Sequence, residues 1–234
     1  MRDLLEVLNN YNINGTILTQ TRGPLLEIIE FEPAAGTKLK NIAAVTEDIR
    51  RELGVSSLRI EPAQAGNAVL FQIPAQSFDI IDFKKLLDTP EFAAAKEQYT
   101  LPLIMGADIK GTPVTADLAQ MPHLLIGGTT GSGKSVGLNT FILSLIAAKK
   151  PSEVKFVLID PKRIEFSVYN NQKYLYAPVI TETSEAVAVL AYLANEMDKR
   201  YELFAENMSK NLTDYNRTAD EKLPYIVCVI DEFA

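Results

Sequence analysis

Soft metal ligands and disulfide partners are nearly missing from this chain. Its one cysteine, Cys228, excludes an internal disulfide in 234 residues. The thiol lies in the apolar run "YIVCVID", where it reads as a small buried hydrophobe in a protein of a reducing compartment. The one histidine, His123, has no second histidine and no cysteine near it in sequence, so a zinc centre lacks its ligands and a structural role is expected. No stretch approaches the roughly 18 uninterrupted apolar residues of a membrane span. The start, "MRDLLEVLNNYN", has neither the apolar run nor the small-residue cleavage site of a secretory signal. The chain itself therefore reads as cytoplasmic, with no membrane contact of its own. Positive charge is also in deficit, with 23 Lys and Arg against 30 Asp and Glu for a net charge of -7. That balance excludes a surface uniformly suited to nucleic acid, and leaves room for a local basic patch.

At 234 residues the length fits one large domain or two small ones, each able to bury a core. The rhythm changes near residue 100. Before it come a helix-like "DLLEVLNNYN", a strand "PLLEIIEFEP", a helical "LKNIAAVTEDIRREL" stopped by Gly54, two strand-like runs "SLRIEP" and "NAVLFQIPA", and a helix over 83–98. This predicts a small α+β domain over residues 1–100. A hairpin signal around Ile109 to Thr112 leads into the rest.

Residues 101–234 alternate strand and helix: "HLLIGG", "SVGLNTFILSLIAAKK", "VKFVLID", a helix from Ser184 to Met208, and "YIVCVID". Continuous apolar strands separated by helices are the pattern of an α/β fold whose parallel sheet is covered on both faces. In the long helix Ala186, Leu190, Leu193, Met197, Tyr201, Phe204 and Met208 recur every three or four residues and form the expected sheet-facing stripe. Lys199 and Arg200 fall on its polar face, where a solvated position is the default.

Between two of these apolar segments stands "GGTTGSGKSVG", with five glycines, four hydroxyl residues and one lysine. Gly128, Gly131 and Gly133 with Lys134 and Ser135 fit G-x-x-x-x-G-K-[ST], placed after a predicted strand and at the start of a helix. Glycines let the backbone turn its amides around a phosphate, and the helix start adds its positive end. The pattern assigns nucleotide binding to Gly128, Thr129, Thr130, Gly131, Ser132, Gly133, Lys134, Ser135 and Val136. Lys134 would reach the β- and γ-phosphates of ATP, and the Ser135 hydroxyl would be a ligand of Mg2+. About 100 residues on, "YIVCVIDE" is an apolar strand ending in two carboxylates. Asp231 is placed to hold the metal, directly or through water, and Glu232 to orient and deprotonate an attacking water. The stretch "IDPKR" is read in two ways. Asp160 or Lys162 senses the nucleotide or a neighbouring subunit, or Asp-Pro simply ends a strand.

Taken together, "IEFEPAAGTKLKNIAAVTEDI", "MPHLLIGGTTGSGKSVGLN", "VKFVLIDPKRIEFSVYN" and "LPYIVCVIDEFA" resemble the cytoplasmic motor of the FtsK/SpoIIIE family of DNA translocases. The resemblance spreads over almost the whole chain. It implies a P-loop NTPase (RecA-like) parallel-sheet module preceded by a small α+β module, a homohexameric ring, ATP and Mg2+ as cofactors, and double-stranded DNA as the partner in cell division or sporulation. It further implies that Lys134 and Glu232 serve catalysis, that Ser135 and Asp231 serve the metal, and that the chain is cytoplasmic, either by itself or as the cytoplasmic part of a membrane-anchored protein. Family members continue well past "DEFA", and in RecA-like sheets a later strand lies between the phosphate-loop strand and the Asp-Glu strand. These residues are therefore expected to belong to a longer protein, or to a product that binds nucleotide without turning it over. A ring ATPase moving conjugative DNA or a secreted protein is the alternative cargo reading.

Overall fold

The computed structural model describes residues 3–63, 66–75, 80–129 and 131–232. It divides into two compact units, Met1–Glu91 with Gly106–Val114, and Phe92–Met105 with Thr115–Ala234.

In the first unit, helix α1 (Leu4–Asn10) is capped by Asp3, whose carboxylate accepts from Leu5 N. Strands β1 (Gly15–Arg22) and β2 (Leu26–Pro33), helices α2 (Leu39–Ala44) and α3 (Thr46–Leu53), and strands β3 (Arg59–Pro62) and β4 (Val69–Pro74) follow, then α4 (Phe83–Leu87). The strands form an antiparallel sheet in the order β1-β2-β4-β3. Alternation puts Ile29 and Phe31 of β2 and Val69, Phe71 and Ile73 of β4 on one face, packed with Val7 and Leu8 of α1, Ile42 of α2 and Ile49 of α3. The rings of Phe31 and Phe71 meet edge to face at 5.9 Å. Gly54 ends α3 in the left-handed region, φ +70°.

Three sequence expectations shift here. The stretch 39–53 is two helices, because Val45 leaves helical geometry and the Thr46 hydroxyl turns back onto the carbonyl of Ala43 at 2.9 Å. The stretch 83–98 is also two, α4 and α5 (Pro90–Gln98), because Pro90 lacks an N–H and disfavours helical backbone before it. Strand β1 was not expected, since its polar "TQTR" carries no alternating apolar pattern, and it occupies the edge of the sheet. The hairpin signal corresponds to β5 (Pro102–Ala107) and β6 (Pro113–Asp117), whose turn is tied by Asp108 N donating to Thr112 O at 2.8 Å.

The second unit holds α6 (Lys134–Ala148), β7 (Val154–Ile159), α7 (Thr183–Glu206), α8 (Leu212–Thr218) and β8 (Tyr225–Ile230). Strands β7 and β8 pair in parallel, Val154 opposite Tyr225 through Ile159 opposite Ile230. On one face Phe156 and Leu158 pack with Leu138, Ile142 and Leu145 of α6, and on the other Val157 and Ile159 pack with Ala186, Val189 and Leu193 of α7. Strand β7 is thus covered on both sides, which is why its sequence reads as one apolar run. Its far edge is occupied by residues 174–180, with Phe156 N donating to Tyr174 O and Ile180 N to Leu158 O. Among the described residues, the outer edge of β8 has no strand partner.

The predicted strand at 123–128 is not a strand in the described structure. Leu124 and Ile126 pack on the α6 core, yet the segment joins no ladder. A strand exists only where a neighbour supplies hydrogen bonds, so an apolar run is necessary for one and insufficient. The face of α7 also differs from expectation. The partly buried side runs through Ala186, Val189 and Leu193 to Glu196 and Arg200, while Leu190, Met197, Tyr201 and Met208 are exposed. The helix carries apolar residues on two adjoining stripes, and its period alone does not choose between them. Arg200 is therefore not on a solvated face, since its side chain is only 13% exposed, pairs with Glu196 at 2.8 Å and donates to Pro224 O at 2.8 Å. Cys228 is exposed rather than buried. It shares a face of β8 with Ile226 and Ile230, which α7 covers only around those neighbours.

Candidate nucleotide site

The loop before α6 owes its shape to glycine. Gly131 and Gly133 adopt φ of +82° and +94°, and Gly133 is the residue that caps α6. At Gly128 a β-carbon would fall 2.2 Å from Ser132 Oγ, so that side chain would have to turn away. Ser132 N donates to Thr129 O at 3.0 Å and closes the turn. Thr130 lies outside the described residues. Thr129, Ser132 and Val136 are exposed, Val136 by 70%. The loop therefore leaves Thr129 and Ser132 exposed beside the start of α6, where helix amides lack intrahelical partners and favour an anion.

Lys134 is the first residue of α6, and its ammonium lies 2.8 Å from Oδ1 of Asp231, which directly follows β8. Asp231 N donates to Ile159 O at 2.9 Å, so the parallel ladder itself carries this carboxylate to the loop. Contact with Asp231 raises the Lys134 pKa above the ordinary lysine value. Burial opposes the rise, and the charges of Asp231, Glu232 and Glu165 add to it. Asp231 Oδ1 is buried and has this ion pair without a well-aligned hydrogen-bond donor.

Glu232 adopts a left-handed φ of +67° and meets Lys162 Nζ at 2.5 Å. That hydrogen bond, with the charges of Lys162 and Lys134, holds the Glu232 carboxyl below its usual range against a smaller desolvation effect. The Ser135 hydroxyl donates to Glu165 Oε1 at 2.5 Å. Both Lys162 and Glu165 come from the turn after β7, which is organised around Asp160. This residue is fully buried, and its Oδ2 accepts from Glu165 N at 2.9 Å and Phe166 N at 3.0 Å. Burial acts to raise the Asp160 pKa, and the backbone donors of Phe166, Glu165, Ile164 and Arg163 outweigh it, leaving the group below its ordinary value.

The structure thus brings Lys134, Ser135, Asp231 and Glu232 together and adds Lys162 and Glu165. Glu165 was missed in the sequence. The signal for it is an acidic residue a few positions past a strand-ending Asp that folds the turn back. His123 is exposed, and among the described residues no group of three or more His, Cys, Asp and Glu side chains is arranged to hold a metal.

The chain is similar to known proteins along its length. Residues 1–75 match the FtsK alpha domain. DNA translocase FtsK of Rickettsia typhi is 37% identical over 99% of this chain, and DNA translocase FtsK of Helicobacter pylori is 39% identical over 100% of it. DNA translocase SftA of Bacillus subtilis is 40% identical over 100% of the chain. The chain spans 36%, 28% and 25% of these three relatives. Among solved structures, the pCW3 conjugation coupling protein TcpA, determined with ATPγS, superposes with a TM-score of 0.55 at 23% identity, covering 97% of this chain and 63% of that one. The cytoplasmic domain of the type VII secretion ATPase EccC from Thermomonospora curvata gives 0.51 at 28% identity, covering 67% of this chain and 20% of that one. The fold is that of these ATPases: mixed α/β, with parallel strands and a small preceding domain. Residues 84–234 match the FtsK/SpoIIIE family model, which therefore spans the glycine loop, the IDPKR turn and the Asp-Glu strand, and this chain belongs to the FtsK/SpoIIIE family.

Proposed function

We propose that this chain is the ATP-hydrolysing part of a double-stranded DNA translocase acting in chromosome partitioning and cell division. The observation that carries the reading is the meeting of Lys134 with Asp231 at 2.8 Å, with Glu232 next in the chain. A glycine loop, a lysine and a strand-end Asp-Glu pair in one place are the parts that phosphoryl transfer needs. Lys134 binds the β- and γ-phosphates, backbone amides of Gly128 to Ser135 wrap them, and Glu232 takes a proton from the attacking water.

Ser135 Oγ and Asp231 are the residues that would hold Mg2+. The fit is chemical: both are hard oxygen donors, and Asp231 Oδ1 is a buried oxygen whose close partner is the Lys134 ammonium, with no well-aligned hydrogen bond. A site with few protein ligands suits an ion that keeps waters and phosphate oxygens around it. When bound, Mg2+ neutralises charge on the β- and γ-phosphates.

The family resemblance supports a homohexameric ring around the DNA. Among the described residues, neither the segment 123–128 nor the outer edge of β8 has a strand partner, which supports slow turnover by these 234 residues alone. The test is ATP hydrolysis with and without long double-stranded DNA, at low and high salt. The reading requires DNA to stimulate turnover, salt to weaken the stimulation, and Lys134→Ala to abolish both. Turnover indifferent to double-stranded DNA would favour another cargo.

A further inference from the structure

Three hydroxyl side chains of α6 are placed in two ways. Thr140 Oγ1 donates to Val136 O at 2.8 Å and Ser144 Oγ to Thr140 O at 2.6 Å, each folding back on the carbonyl four residues earlier. Ser135 stands in the first turn, where no helical carbonyl precedes it by four residues, and its proton goes across to Glu165 at 2.5 Å. A hydroxyl has one proton and two acceptor lone pairs, so an oxygen that ligates a cation must give its proton to something else. A carboxylate is the strongest acceptor a protein offers for it. Glu165 is held firmly in place to receive it, since its own amide donates to the buried Asp160 carboxylate and the next residue, Phe166, is fully buried.

We propose that Glu165 is a positioning residue for the cation site, taking the Ser135 proton so that the serine oxygen turns a lone pair toward the Mg2+ of a bound nucleotide. The proposal rests on the reading above, in which Ser135 holds that cation. Glu165 touches neither nucleotide nor metal in this role. It acts through Ser135, as groups behind metal ligands do elsewhere, where their loss typically costs about 10–100-fold in metal affinity.

The experiment measures ATPγS binding calorimetrically in excess Mg2+ and in EDTA, for the unaltered chain, Ser135→Ala, Glu165→Ala and Glu165→Gln, with thermal unfolding as a folding control. The unaltered chain binds more tightly with Mg2+. Ser135→Ala and Glu165→Ala each lose about tenfold or more of that gain, and for Glu165→Ala the affinity in EDTA stays within about twofold of the unaltered chain. Glu165→Gln keeps part of the gain, because its amide oxygen still accepts the proton. A full gain in Glu165→Ala beside a lost gain in Ser135→Ala overturns the role of Glu165 and leaves the cation reading intact. A full gain in Ser135→Ala removes both. If Glu165→Ala does not fold, Glu165→Gln decides, and an undiminished gain there overturns the proposal. Absence of binding by the unaltered chain in either condition overturns both readings together.

Discussion

Lys134 Nζ and Asp231 Oδ1 lie 2.8 Å apart, joining the first residue of α6 to the residue that follows β8, almost a hundred positions later in the chain. Asp231 is 4% exposed, so the lysine is the charge that makes its burial tolerable. Lys134→Ala should abolish ATP binding and also lower the urea midpoint, because it strands a buried carboxylate. Adding Asp231→Asn to Lys134→Ala should recover stability without recovering binding. Equal midpoints for the single and double variants would mean that the pair carries no structural weight.

Glu232 separates binding from chemistry. Glu232→Gln keeps the shape of the side chain and removes the base, so turnover should fall at least about 100-fold while ATP affinity stays within a few fold. Rapid-quench measurement of product formation beside an equilibrium binding titration checks both. Turnover near the unaltered rate would remove Glu232 from its assigned role.

Asp160 anchors the turn that supplies Lys162 and Glu165. Asp160→Ala deletes a buried acceptor of two backbone N–H groups, and should cost about 2 kcal/mol of stability at neutral pH. The sign with pH follows from its lowered folded pKa. The contribution is whole above the unfolded carboxyl value of about 4 and disappears as pH falls through the lower folded value. Urea unfolding of both proteins between pH 7 and pH 3 should show the gap narrowing on acidification, and a constant gap would contradict this account.

The Glu196 and Arg200 pair within α7 is an internal strut. Arg200→Ala leaves Glu196 and the carbonyl of Pro224 without their donor, and should destabilise the second unit by about 2 kcal/mol. Replacing both charges, Glu196→Met with Arg200→Met, should recover much of the loss. Thermal unfolding of the three variants reads the cycle.

Much of the candidate site is legible in the sequence. The glycine loop, Lys134, Ser135, Asp231 and Glu232 announce themselves through local rules: glycine where the chain must turn positive in φ, and carboxylates where a strand ends. Strand β7 was equally plain, because a strand buried on both faces has to be apolar throughout, and β8 was read from its apolar run alone. The predictable features depend on residues within a few positions of each other.

What the tertiary structure decided were matters of partnership between distant residues. Whether 123–128 becomes a strand depends on a neighbour at its edge. Which stripe of α7 meets the sheet depended on where β7 and β8 stood, and that choice partly buried Arg200 beside Glu196 and left Met197 and Tyr201 exposed. Cys228 is exposed for the same reason, since an apolar strand is covered only where a helix happens to lie. Glu165 acquires its place because Asp160 folds the turn back and carries the carboxylate to Ser135 across 30 residues of chain. Sequence patterns record each residue's local preferences; hydrogen bonding and burial are relations between two surfaces, and only the folded chain sets which surfaces meet.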